Sequence, residues 1–168
     1  DSLLVSSKKN FVFLESQNLN IITSVSSLLN SQINEERDIK LMTTFRSDIY
    51  ENENISFEHL GKLNFTYPSY YKPIYNQNLT DFNQDYILEF GKLPNKTAIR
   101  AYDLTLDLLL RSAVFRKIEK SIKIGQTEYL QNKFNYQIEN DMLVNQAVYM
   151  IRHENLEIVE FDFSDLYE

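Results

Sequence analysis

The chain of 168 residues has no cysteine, no tryptophan, and only three glycines and three prolines. Without cysteine there is no disulfide framework, no thiolate nucleophile and no Cys-type zinc or iron–sulfur site. Three glycines leave no material for a Gly-rich phosphate cradle, and no G-x-G-x-x-G, G-x-x-x-x-G-K-[ST] or G-x-S-x-G pattern occurs. Bases are also short: 17 Lys and Arg stand against 24 Asp and Glu, a net charge of −7. Nucleic acid is therefore not an expected partner, because phosphate-backbone affinity comes from Lys and Arg displacing counterions. An anionic membrane surface is disfavoured for the same reason. Long apolar runs are missing as well. The stretch 104 to 110 is broken by Thr105 and Asp107, far from the roughly 20 apolar residues that span a bilayer. No charged, apolar and small-residue signal opens the chain. It begins at Asp1 rather than Met, and the expectation is a processed or excised piece of something longer.

What is present is 43% hydrophobic and 13% aromatic content, ample for the core of one ordinary domain. "NFVFLES" (10 to 16) reads as a buried strand, and "NIITSVSSLLNSQI" follows with Ile21, Ile22, Val25, Leu28, Leu29 and Ile33 at helical spacing. "DIKLMTTF" (38 to 45) is a second strand candidate. Ser56 before "FEHLGKL" predicts an N-cap, with Gly61 closing that short helix. "LNFTYPSYY" reads as a third strand ended by Pro68. Thr80 is placed as the N-cap of the next helix, with Gly91 at its C-terminal end. After the break at Pro94 and Asn95 a long helix runs from about Lys96 to Phe115. Beyond Gly125, "KFNYQI", "LVNQAVYMIRH" and "LEIVEFDF" are strand-like, with "ENDM" and "EN" as turns. The predicted class is α/β: a parallel sheet flanked by helices, with a C-terminal antiparallel meander.

The long helix carries Asp103 and Asp107 one turn apart. At 100° per residue they share a stripe with Lys96, Arg100 and Arg111, while Ile99, Tyr102, Leu104, Leu106, Leu108, Leu109, Leu110 and Ala113 occupy the rest. A di-carboxylate metal or acid/base site would recruit further acids or a His. The stripe supplies bases instead, so the expectation is a solvated charge stripe on a mostly buried helix. The competing reading is a metal-dependent hydrolase or phosphatase built on the two aspartates. His59 and His153 lie in no H-x-x-x-H or H-E-x-x-H spacing and are expected to be surface or packing residues. "FTYPSYYKPIY" (65 to 75) is either an aromatic ligand groove or a strand end with a packed loop. Sequons occur at Asn54, Asn64, Asn78 and Asn95, relevant only if the source glycosylates.

The segment "DFNQDYILEFGKLPNKTAIRAYDLTLDLLLRSA", with Phe82, Tyr86, Gly91, Pro94, Ala98, Tyr102 and Asp103 in order, resembles the late segment of type 1 periplasmic binding proteins, the leucine-binding-protein-like receptors. "NFVFLES", "DIKLMTTF" and "LGKLNFTYPSYY" resemble the strands leading into it. The tail from "IGQTEYL" to "LEIVEFD" resembles the closing strands of a Bacteroidetes branch of amino-acid transporter receptors associated with LysM modules. The resemblance implies a Rossmann-like, periplasmic-binding-protein-like lobe corresponding to a C-terminal part of that family. Residues 1 to 35 and 116 to 168 would lie toward one lobe and 38 to 115 toward the other. It also implies a noncatalytic binding function, with no resident cofactor, for an amino acid, peptide or cell-wall fragment. The location implied is the periplasm or cell envelope. Implied partners are peptidoglycan, transporter components, a missing N-terminal lobe or a second copy of the chain. The alternative function is an envelope scaffold or protein-interaction domain that kept the fold and lost the pocket.

Ligands of open α/β sheets bind beyond the carboxyl ends of the strands. Applied here, that rule nominates Glu15, Ser16 and Asn18 after the first strand, Thr43, Thr44 and Phe45 after the second, and Tyr67 after the third.

Overall fold

A computed structural model describes residues 3–45, 47–72 and 81–161. The chain divides into two compact units, residues 1–69 with 149–168, and residues 70–148. The division thus falls at 69/70 and 148/149, whereas the resemblance puts it near 35/38 and 115/116.

The first unit is built on one mixed sheet. Strands β1 (Lys8–Phe13), β2 (Arg37–Met42) and β3 (Thr66–Ser69) run parallel; β8 (Tyr149–Glu154) is antiparallel to β3, and β9 (Glu157–Glu160) to β8. Their order is β1-β2-β3-β8-β9. The α/β class is therefore observed, with a mixed rather than purely parallel sheet. Helices α1 (Leu19–Gln32) and α2 (Phe57–Lys62) pack against β2, β8 and each other. Both bury side chains in one cluster with Ile39, Leu41, Phe65, Tyr67, Tyr149 and Ile151. Helices therefore cover one face of the sheet; on the other face β1 leaves Phe11 and Phe13 exposed. Burying a side chain such as Ile22, Leu41 or Leu60 contributes about 2 kcal/mol, and this cluster is the main cohesive element of the unit.

Local chemistry explains the element ends. Asn18 caps α1 by accepting from the amides of Asn20 and Ile21, and Ser56 caps α2 by accepting from the His59 amide. Gly61 does not close α2 as expected. It lies inside the helix, where a Cβ would stand 1.9 Å from the backbone oxygen of Asn155, and Asn64 (φ 45°) takes the left-handed position beyond the helix. Pro68 does not end β3 either: it lies within the strand opposite Met150 of β8.

In the second unit α3 (Asp81–Phe90) ends at Gly91, whose φ of 69° and amide bond to the Ile87 carbonyl (2.8 Å) make it a left-handed terminus. The expected cap Thr80 lies outside the described residues. Helix α4 (Lys96–Val114) starts at Asn95, which accepts from the Ala98 amide. Phe82 of α3 packs on Tyr102 of α4 with ring centroids 4.4 Å apart. After a 3-10 turn at Ile118–Ile124 come two antiparallel pairs, β4 (Thr127–Glu128) with β5 (Lys133–Phe134) and β6 (Tyr136–Glu139) with β7 (Met142–Asn145). Asn140 and Asp141 turn the second hairpin with positive φ. The expected C-terminal meander is antiparallel but not continuous: its strands fall into three sheets, and of them β8 and β9 join the main one.

Candidate functional site

The carboxyl ends of β1 and β2 lie side by side because the two strands pair in register from Lys8 opposite Arg37 to Phe13 opposite Met42. Leu14 extends the ladder by donating to the Met42 carbonyl at 2.9 Å. Glu15 follows immediately, and its carboxylate crosses to the neighbouring strand end. One oxygen accepts from the Thr44 amide at 2.6 Å, and the other from the Thr43 hydroxyl at 3.3 Å. Glu15 and Thr44 are exposed, whereas Thr43 is buried and donates its amide to Thr66 of β3 at 3.1 Å. Ser16 and Asn18 form the entry to α1: the Ser16 hydroxyl accepts from the Asn18 amide at 3.1 Å, and Asn18 caps the helix. A helix N-terminus and two strand ends thus bring backbone donors, hydroxyls and one carboxylate to a single edge of the sheet.

Of the seven nominated residues, the structure joins Glu15, Thr43 and Thr44 by direct hydrogen bonds and sets Ser16 and Asn18 beside them in sequence. Phe45 follows Thr44 and is half-buried. Tyr67 belongs elsewhere: it is buried in an aromatic cluster, with Phe65 and His153 at centroid distances of 5.3 and 5.9 Å. Its position in β3 points it into the core under the helices.

Tyr50 is the residue that sequence reading missed. Its ring stacks on Phe65 at 4.4 Å and its hydroxyl donates to the Leu14 carbonyl at 3.4 Å, on the chain just before Glu15. Burial raises its phenol above the ordinary value; the Glu15 charge adds to the rise and the Thr43 hydroxyl opposes it. The polar segment 46 to 62 offers no periodicity that would have singled this tyrosine out.

The aspartates of α4 are placed opposite to expectation. Asp103, Asp107 and Arg111 form the buried face of the helix, with 0, 0 and 1% exposure, while Leu109 and Leu110 are 63 and 51% exposed. Three of the five charged residues of the stripe are thus inside, Lys96 and Arg100 at its start are exposed, and much of the apolar surface is outside. Asp103 accepts from the amides of Leu130, Gln131 and Asn132 and from the Asn132 side chain, at 2.8 to 3.2 Å. Asp107 accepts from Arg111, from the Thr127 hydroxyl at 2.7 Å and from the Tyr129 hydroxyl at 3.0 Å. Arg111 donates onward to the carbonyls of Ser121 and Gly125 and to the Thr127 hydroxyl, and lies 4.8 Å from the centroid of the Tyr136 ring. Burial, with the Asp107 charge next, pushes the Tyr136 phenol up to about 12. The same two causes, with the hydrogen bond to Asp107, raise that of Tyr129. The carboxylate oxygens are occupied by protein donors, and among the described residues no group of three His, Cys, Asp or Glu side chains is arranged to hold a metal ion. These aspartates tie the segment from the 3-10 turn to β5 onto α4.

His153 is buried in the first unit against Phe57, Phe65 and Tyr67. Its Nδ1 has no hydrogen-bond partner among the described residues, and burial lowers its pKa from 6.5 to about 4. It is a neutral packing residue at ordinary pH, one of the two roles expected from the sequence. His59 is on α2 with its Nδ1 3.5 Å from the Ser27 hydroxyl of α1.

Compared with protein-family models, curated proteins and solved structures, the chain matches none.

Proposed function

We propose that this chain is a noncatalytic extracytoplasmic binding module, of the type 1 periplasmic-binding-protein kind, for a small polar ligand such as an amino acid, peptide or cell-wall fragment. The observation that carries the reading is the Glu15 carboxylate bridging the ends of two parallel strands beside the capped start of α1. Strand ends of this kind are where open α/β sheets present polar groups to ligands. In this reading Thr44, Ser16 and Asn18 supply neutral polar contacts and Glu15 supplies the charge. No helix among the described residues is long and apolar enough to cross a membrane, and the periplasmic or envelope location rests on the sequence resemblance.

Thermal-shift measurement against amino acids, short peptides and peptidoglycan fragments tests this. A ligand held at a hundred times its Kd stabilises the fold by about 2.7 kcal/mol, and Glu15→Gln removes that gain. A melting temperature that no compound in the panel raises contradicts the reading.

The second reading, a protein-interaction domain, is favoured by a different observation. Leu88 and Phe90 of α3 and Leu109, Leu110 and Val114 of α4 are all exposed, and the last three fall within about one and a half turns of α4, large apolar side chains available for contact with another protein. Leu109→Asp with Leu110→Asp separates the two: it leaves a strand-end ligand response intact and abolishes association made through α4.

A further inference from the structure

We propose that two copies of the chain pair through the outer edge of β1, antiparallel and centred on Val12, so that their two sheets become one. Among the described residues β1 is the end strand of its sheet. In the parallel ladder alternate residues turn their backbone groups toward β2, as Leu14 does in donating to Met42. The intervening residues Lys9, Phe11 and Phe13 turn theirs outward. An edge of this kind is a template for another strand unless something blunts it. Here Phe11 and Phe13 are 47 and 60% exposed on the face that α1 and α2 do not cover.

The sequence of the edge selects the occupant. Lys9, Phe11, Phe13 and Glu15 are all exposed, while Asn10 is buried and Val12 and Leu14 are half-buried toward the core. Turned antiparallel about Val12, the strand meets its own copy with Phe11 opposite the partner's Phe13 and Lys9 opposite the partner's Glu15. Two-fold symmetry makes each contact occur twice. Other registers do worse. A shift by two residues one way sets Phe11 against the partner's Phe11 and Lys9 against the partner's Phe13. The opposite shift sets Phe11 against the partner's Glu15. A shift by one opposes outward-turned backbone to backbone already bonded to β2. One register therefore satisfies hydrogen bonding, aromatic pairing and charge together.

Sedimentation of the full chain over a range of concentrations tests this. The expected result is a rise from the 19.9 kDa monomer to twice that mass. Lys9→Glu sets like charges opposite each other at both ends and is expected to weaken pairing roughly tenfold. Glu15→Lys does the same, and the two together restore it. Glu15 also holds Thr43 and Thr44, so Phe11→Pro provides an independent variant. It removes an outward donor that the β2 ladder does not use, and is expected to leave a folded monomer. A single 19.9 kDa species at every concentration, or a dimer indifferent to both Lys9→Glu and Phe11→Pro, overturns the proposal. Failure of the double swap to restore pairing between folded proteins overturns the register. Lys9→Glu leaves the Glu15 contacts with Thr43 and Thr44 in place, so the ligand reading stands or falls separately.

Discussion

The Nε of Arg111 lies 3.0 and 2.8 Å from the two carboxylate oxygens of Asp107, one helical turn before it, and both side chains are closed off from solvent. A buried pair of this kind is a weak source of net stability while intact, because desolvation offsets the attraction. Breaking it is another matter. Asp107→Ala leaves a buried guanidinium without its counter-charge and is expected to cost about 3 to 5 kcal/mol, read as a lower urea midpoint. Replacing both residues, Asp107→Leu with Arg111→Met, recovers only part of the loss, since the Ser121 and Gly125 carbonyls still lose their donor. An Asp107→Ala protein that melts like its parent contradicts the tie between α4 and the segment of Thr127 and Tyr129.

Asp103 holds its own set of donors. Asp103→Ala strands the amides of Leu130, Gln131 and Asn132, each costing about 1 to 3 kcal/mol if left dry. Hydrogen exchange at these three amides is expected to accelerate before global unfolding, whereas exchange confined to global unfolding would argue against this role.

Gly61 is held by backbone contact rather than by turn geometry. Alanine is the better helix former by about 1 kcal/mol, so a neutral site would gain from Gly61→Ala. The Asn155 carbonyl 1.9 Å from the added Cβ is main chain and cannot swing away, and overpacking costs typically about 1 to 3 kcal/mol or more. The expected net effect is a fall of several degrees in Tm; a rise shows that α2 and the β8–β9 turn move apart freely.

His153 sets the direction of a pH dependence. Its pKa is 6.5 when unfolded and about 4 when folded, so between those values the unfolded chain binds the extra proton. Its contribution to stability is whole above about pH 6.5, declines as pH falls toward about 4 and then levels, a total of up to about 3 kcal/mol. Denaturation of the parent and of His153→Phe across this window isolates the effect: the parent's stability minus the variant's should fall, by up to about 3 kcal/mol, as pH drops from about 6.5 to about 4. A difference independent of pH contradicts the neutral buried histidine.

Much of the secondary structure is legible in the sequence because its signals are local. Ser56 announces a helix start, Gly91 announces the end of α3, and the turn read in "ENDM" is where Asn140 and Asp141 take β6 into β7; Asn18, the cap of α1, is not among the caps read from the sequence. The orientation of α4 is not legible. A helical wheel shows that Asp103, Asp107 and Arg111 share a face, but the groups that bury that face, Thr127 and residues 130 to 132, are 16 to 29 residues away in the chain. Gly61 and Pro68 misled for the same reason, since their meaning comes from Asn155 and Met150 across the unit. That Glu15, Thr43 and Thr44 follow the carboxyl ends of β1 and β2 is legible because chain direction alone fixes a strand's carboxyl end. The inward direction of Tyr67 is not legible, because its side chain follows the alternation of β3 into the core.

The most direct test of the strand-end site is a backbone amide NMR titration of the chain with the amino acids, short peptides and peptidoglycan fragments of the stability panel. The expected result is a compound that shifts Thr44, whose amide is bonded to Glu15, together with Phe45 and the residues from Ser16 to Ile21 at the start of α1. Those shifts should disappear in Glu15→Gln. Shifts confined to α3 and α4, or none from any compound, would contradict it.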